Sequence, residues 1–212
     1  MSARSTVSGR GQDIAREFDV YGPHYKGTNM TYYGSKELAE SFRTVRKNTI
    51  VIADEIPEDN FNFRAAPETR TVAQLLTHLA ASQKMPEQIH AIERRTTLEG
   101  FDFPGLFQRI AAEEQTPRNK AQIIAMLRDE GERWAKWLES QSEDFLAERV
   151  QYPVGMTPAI RTRFEMLLGS KEHEMHHRGQ LMLIERMLGI VPHFTRQMQE
   201  RMAAVASTKA TA

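Results

Sequence analysis

Four stretches of this chain repeat apolar residues at a three-then-four spacing, and no long stretch alternates apolar with polar residues as a half-buried strand would. The first begins near Ser35, read as its N-cap, and runs to about Ile56. Leu38, Phe42, Val45 and Ile52 fall on one stripe, and Pro57 ends it. The second covers about 71–95, with Leu75, His78, Ser82, Met85, Ile89 and Ile92 in register, and Pro86 inside it predicts a kink. The third covers about 119–140, with Ile124, Leu127, Gly131, Trp134 and Leu138 on its stripe. The fourth covers about 161–188, with Met166, Ser170, His173, His177, Gln180, Ile184 and Met187. Gly189 closes it as a C-cap, and Pro192 lies just beyond. Each stripe must be covered, and four helices that cover one another make a bundle. The pattern predicts an all-α protein with a four-helix bundle over residues 35–195.

The rest of the chain is arranged around that bundle. Residues 1–34 read as an extended arm, partly disordered and rich in Gly, Ser and Thr. Its Tyr21, Tyr25, Tyr32 and Tyr33 are expected over the body or a partner subunit, or in a loosely packed tail. The connection around FDFPGLF (101–107) is long enough for a helical turn. ERVQYPVGMTP (148–158) reads as a short hairpin. A short fifth helix is expected over 195–205, within a C-terminal tail, 196–212.

Composition excludes several function classes. The 212 residues suit one sizeable core. Lys plus Arg equals Asp plus Glu, 28 each, so there is no basic surplus of the kind that nucleic-acid binding normally shows. The absence of cysteine removes disulfides, zinc ribbons and thiol nucleophiles of the protein's own. MSARSTVSGRGQDIAREF lacks the apolar segment of a signal peptide, and no apolar run approaches the roughly 20 residues that span a bilayer. The expectation is a soluble cytoplasmic protein that binds neither nucleic acid nor membrane.

The stripes carry the wrong residues for a plain core. His173 and His177 occupy the centre of the fourth, one turn apart, with Cβ atoms about 6 Å from each other. His78 sits on the second stripe. Helices two and four can bring all three imidazoles together, and three neutral nitrogens with an open position make a metal site of catalytic type. Imidazole suits zinc, nickel, copper or iron alike. Ser82 lies one turn after His78, and Ser170 one turn before His173. With Gly169 and Gly131, these small residues predict a void beside the imidazoles, hence a pocket. His176 lies to the side of the stripe, as a neighbour of the ligands or an exposed group. His24, His90 and His193 read as ordinary histidines.

His173 to His177 also match the zinc-protease string H-E-x-x-H. The longer form of that motif fails, because Gln180 and Leu183 stand where Gly and His are required. Glu200, the other downstream candidate ligand, follows the break at Gly189 and Pro192. His78 is the better third ligand. Glu174 pairs well with Arg178 four residues on, which explains it without catalysis.

SFRTVRKNTIVIADEIPEDNFNFRAAPETRTVAQLL (41–76), TVAQLLTHLA (71–80) and KEHEMHHRGQLMLIERMLGIVP (171–192) together resemble the DinB/YfiT-like superfamily over about residues 30–195. The HHRGQ run and the single upstream His are the most specific parts. The resemblance implies a four-helix bundle holding a divalent metal, often nickel or zinc, on His78, His173 and His177. It also implies a homodimer for many members, and no DNA binding. Members resemble thiol S-transferases, a thiol-dependent isomerase or metal-dependent hydrolases. The functional expectation is an enzyme whose metal activates a low-molecular-weight thiol or water against a small-molecule substrate, with Glu174 or His176 moving protons. The alternatives are a non-enzymatic metal- or ligand-binding stress-response protein and a purely structural bundle.

Overall fold

A computed structural model of the chain describes residues 33–210. Most of the arm expected over 1–34, with Tyr21, His24, Tyr25 and Tyr32, lies outside the described residues. Tyr33 meets Phe164 edge-on, with ring centroids 5.9 Å apart, under the ammonium of Lys171.

Helix α1 spans Ser35–Glu55 and buries Leu38, Phe42, Val45 and Ile52 as the stripe requires. Its N-cap is Gly34, one residue earlier than expected, and Glu37 accepts the Gly34 N–H. Helix α2 spans Val72–Ala81, capped by the reciprocal Thr71–Gln74 pair. The second stretch is not one kinked helix. It stops at Ala81, resumes as the single turn α3 (Lys84–Pro86), and widens into a π-turn over Glu87–Ile92. Pro86 has no N–H to continue an α-helical ladder, and a π-turn is one accommodation. Helix α4, Phe103–Gln115, replaces the long connection expected around FDFPGLF. Asp102 caps it by accepting the Gly105 N–H at 2.9 Å, and Pro104 sits in its first turn. Helix α5 spans Lys120–Glu139 and buries all five residues of its stripe. The five-residue α6, Glu143–Ala147, follows.

The expected hairpin is wider than 148–158. Strand β1 (Arg149–Gln151) pairs antiparallel with β2 (Ile160–Thr162), beyond Pro158. Helix α7 spans Arg163–Met187 and ends at Gly189, whose φ of +78° is a conformation glycine adopts without strain. Helix α8 spans His193–Ala210 and so takes in both the expected fifth helix and residues 196–210 of the expected tail. Helices α1, α2, α5 and α7 form the four-helix core, around Ile52, Leu76, Leu79, Leu127 and Leu181 at one end and Phe42, Trp134, Leu138 and Leu167 at the other. None of the described helices is long and apolar enough to cross a membrane.

Buried charged side chains depart from the apolar pattern. Arg46 and Glu174 form an ion pair inside the bundle, 2.8 Å between Nε and Oε1. Arg46 also donates to the carbonyls of Leu127 and Leu79, so its guanidinium touches α5, α2 and α7 from α1. Gly131 makes room for it: a Cβ there would meet Arg46 Cγ at 2.8 Å. This corrects the expectation that Gly131 opens a pocket. It also corrects the placing of Glu174 on the surface beside Arg178. The buried face of α7 runs through Arg163, Leu167, Ser170, Glu174, His177, Leu181 and Ile184.

Glu185 is also wholly buried, near the end of α7, with no hydrogen-bond donor to either oxygen among the described residues. Burial above all, and the facing Glu55 carboxylate, push its carboxyl up to about 7. Arg196, paired with Glu55, and Arg186 pull the other way. A carboxyl whose folded pKa is raised holds a proton that the unfolded chain releases. It favours folding at low pH, and that contribution falls between the ordinary carboxylate value and about 7. Glu185→Gln mimics the protonated form. Its melting temperature relative to wild type is expected near zero difference at pH 5 and about 5 °C higher at pH 8. A difference independent of pH in calorimetry would show that Glu185 does not titrate in this range.

Candidate metal centre

The three histidines meet where α2 and α7 face each other. The thioether-free, thiolate-free donor set is all imidazole: His78 Nε2 lies 3.1 Å from His173 Nε2, and His177 Nε2 lies 3.2 Å from the same atom. One nitrogen from each ring lies within 4.8 Å of the others. The reason for the convergence is local. His173 and His177 are one turn apart on α7, so their rings point the same way. His78 lies on the α2 surface that α7 covers.

The outer nitrogens decide the tautomers. His78 Nδ1 donates to Glu114 Oε1 at 2.8 Å, which leaves its Nε2 as a lone pair. His177 Nδ1 donates to Gln180 Oε1 at 2.8 Å, with the same result. Lone pairs therefore crowd around His173 Nε2, which can offer at most one proton between them. A cation removes the conflict. Tetrahedral zinc with bonds of about 2.05 Å sets its nitrogens about 3.3 Å apart, and octahedral coordination sets adjacent ones about 3.0 Å apart. The observed spacings fall between, so the residues fit a divalent ion of either geometry. The rings are also kept neutral. Burial lowers the pKa of all three, and for His173 burial together with the neighbouring imidazoles brings it to about 4.

Glu114 is the functional residue that sequence reasoning missed. It comes from α4, the helix not anticipated, and follows Leu106 and Ile110 at four-residue intervals on the buried face. Asp102 and Pro104, a cap and a first-turn proline, were the signal. Glu114 is gripped on its other side by Arg70, 2.6 Å between Nε and Oε2. Burial pushes its carboxyl up, but hydrogen bonds from Arg70 and His78 outweigh this and hold it below the ordinary range. It remains an acceptor for His78, as the carboxylate–histidine arrangement of metal sites requires.

A cavity of about 500 Å³ adjoins the histidines among α2, α3, α4 and α7. Ser82, Ser170, Gly169, His78 and His173 line it, which places the two predicted serines beside the ligands. A second cavity, about 750 Å³, opens on the far side against His177 and Gln180. Arg70 and Glu114 border both. His176 is exposed and accepts from the Gln180 amide at 3.2 Å, so it touches the centre through Gln180. Glu174 lines neither cavity, because its carboxylate is held by Arg46. His90 is an ordinary core histidine that accepts from Arg163, as expected. His193 is buried but has no hydrogen-bond partner among the described residues.

A helical bundle with three converging imidazoles defines a class of bundle protein with a candidate metal site. The DinB superfamily profile matches residues 41–181, and the chain belongs to that family. Two solved structures share its fold. The DinB-like protein YjoA of Bacillus subtilis is 19% identical, over 72% of this chain and 92% of its own, with a TM-score of 0.53. YfiT of Bacillus subtilis, described as a probable metal-dependent hydrolase with an unusual four-helix bundle topology, is 16% identical. That match covers 80% of this chain and 94% of YfiT, with a TM-score of 0.57. Among curated proteins no sequence matches this chain.

Glu174 and Glu114 predict different defects. Glu174→Gln leaves the Arg46 charge uncompensated in the core and is expected to lower stability by about 3 kcal/mol in urea unfolding, with the metal still bound at saturation. Glu114→Ala is expected to weaken metal affinity about 10- to 100-fold in competition titrations, with a smaller loss of stability. Equal metal affinity in Glu114→Ala and wild type would mean that Glu114 does not orient His78.

Proposed function

We propose that this protein is a metal-dependent enzyme in which His78, His173 and His177 hold one divalent ion, nickel or zinc. A thiol or water activated there is transferred to, or hydrolyses, a small molecule in the adjoining cavity. The observation that carries this reading is the convergence of three neutral imidazole nitrogens beside an apolar cavity. A bound divalent ion supplies a nucleophile near neutral pH by lowering the pKa of a coordinated thiol or water.

The chain's own residues prepare the site. Glu114 and Gln180 hold His78 and His177 with their lone pairs inward. The apolar walls keep water from a reacting group. Of the two side chains considered for proton movement, Glu174 is committed to Arg46, which leaves His176, linked to His177 through Gln180. The description of YfiT as a probable metal-dependent hydrolase agrees with the reading. A low-molecular-weight thiol cosubstrate, a homodimer, a stress-response setting and a cytoplasmic location belong to the same proposal and rest on family likeness and composition.

Metal content decides it first. Wild type and His173→Ala, both expressed without a histidine tag, are compared by elemental mass spectrometry after incubation with each ion and desalting. About one nickel or zinc per chain in wild type, lost in the variant, is the expected result. No metal in wild type would overturn the proposal. Metal without turnover of any thiol-transfer or hydrolase substrate would make the protein a metal-binding protein rather than an enzyme.

A further inference from the structure

The cavity beside the histidines has an unusual inventory. Its walls are mostly apolar: Met85 and Pro86 on α3, Phe107, Ile110 and Ala111 on α4, and Met166 on α7. Among the described residues its only charged side chains, Arg70 and Glu114, neutralise each other. Apart from an ion on the histidines, an ionised ligand would find no free counter-charge there, and burying an unpaired charge is costly.

Two buried polar atoms of lining residues nevertheless have no hydrogen-bond partner. Gln83 is 1% exposed, and its Nε2 donates to Ser82 Oγ at 3.1 Å. Ser82 passes its own proton to the Leu79 carbonyl at 3.0 Å. This chain of donors leaves Gln83 Oε1 as an acceptor with no partner. On α7 Ser170 is 8% exposed, and its Oγ also has no partner among the described residues. A serine inside a helix commonly bonds the carbonyl four residues back. Ser170 does not. An unsatisfied buried polar atom costs about 1–3 kcal/mol, and two of them in residues lining one cavity require a common explanation.

We propose that this cavity binds an uncharged, largely apolar small molecule bearing a carboxamide-type group, whose N–H donates to Gln83 and whose carbonyl accepts from Ser170. The assignment rests on the same cavity as the proposed enzyme and names its substrate class. Gln83 thereby becomes a specificity residue, and Ser82 its positioning partner. A volume of about 500 Å³ is ample for a bicyclic ring with one such substituent. The preference arises from a pair of polar atoms, so a molecule of the same shape without the donor forfeits one hydrogen bond and leaves Gln83 Oε1 buried and unpaired.

The test uses three probes of nearly equal size: 2-naphthamide, 2-acetylnaphthalene and 2-naphthoate. Binding to the full chain is measured by calorimetry with and without added zinc, and the amide is compared with the carboxylate in the zinc-free samples, because a bound ion would itself hold a carboxylate. The amide is expected to bind at least about tenfold more tightly than the ketone and the carboxylate. Gln83→Met is expected to bring the amide close to the ketone and to leave ketone affinity within about twofold, whereas Ser170→Ala, on a different helix, is expected to weaken amide and ketone alike and to leave their ratio unchanged. Circular dichroism and metal content serve as controls for folding. Equal affinity for the three probes, preference for the carboxylate without zinc, failure of all three to bind, or an amide-over-ketone preference that survives Gln83→Met would overturn the proposal. Metal loading is measured separately. A chain that discriminates the probes but binds no metal would keep this assignment and lose the enzymatic reading, whereas a chain that binds metal without discrimination would do the reverse.

Discussion

The ion pair between Arg46 and Glu174 sets the geometry on which the rest of the bundle depends. Arg46 leaves α1, passes over the gap at Gly131 on α5, and ends with its guanidinium bonded to α7, α2 and α5 together. Every helix of the four-helix core contributes to that one contact. A buried pair of this kind is weak evidence for net stability, because desolvation of both charges offsets much of their attraction. Its geometric effect is stronger. Two carbonyls and a carboxylate at fixed positions accept from one rigid, planar fork, so the helices cannot rotate independently.

Rotation of α7 is what the metal centre needs. Glu174 lies between His173 and His177 in sequence, about 100° around the helix from His173. When Glu174 faces Arg46, His173 and His177 face His78 and the cavities. A turn of one residue one way would put the Glu174 carboxylate among the imidazoles, and the other way would bury His173 against Arg46. The apolar face of α7 is too interrupted to enforce the choice alone, since Arg163, Ser170, Glu174 and His177 all lie on it. Charge pairing does what hydrophobic burial does on α1 and α5.

The same fact explains which features were legible in the sequence. On α1 and α5 an apolar residue marks the core at every turn, and the stripes named from the sequence are the ones buried. On α7 the histidines were visible because they broke the pattern, and the structure brings them together with His78. The true core face was not visible, because its centre is a glutamate, and a charged residue reads as surface until its partner is known. That partner, Arg46, lies 128 residues away on α1. Gly131 misled for the same reason: its space is occupied by the side chain of another helix. Helix α4 was hidden differently. Its turns carry only Leu106, Ile110 and Glu114 on the buried face, too little periodicity to outweigh the Pro-Gly pair at its start.

Helix α4 nonetheless joins the centre to its surroundings. Glu114 orients His78 with one oxygen and holds Arg70 with both, while the residues one and two turns before it, Ile110 and Phe107, form cavity wall. Phe107 is 52% exposed, so the wall reaches the surface there. A ligand that fills the cavity presses on the same helix that fixes the tautomer of a ligand histidine. In the proposed enzyme, occupancy of the cavity and of the three-histidine cluster would be coupled through this one element, and coupling of that kind is reciprocal. The helix that periodicity marked least clearly is the one that touches both.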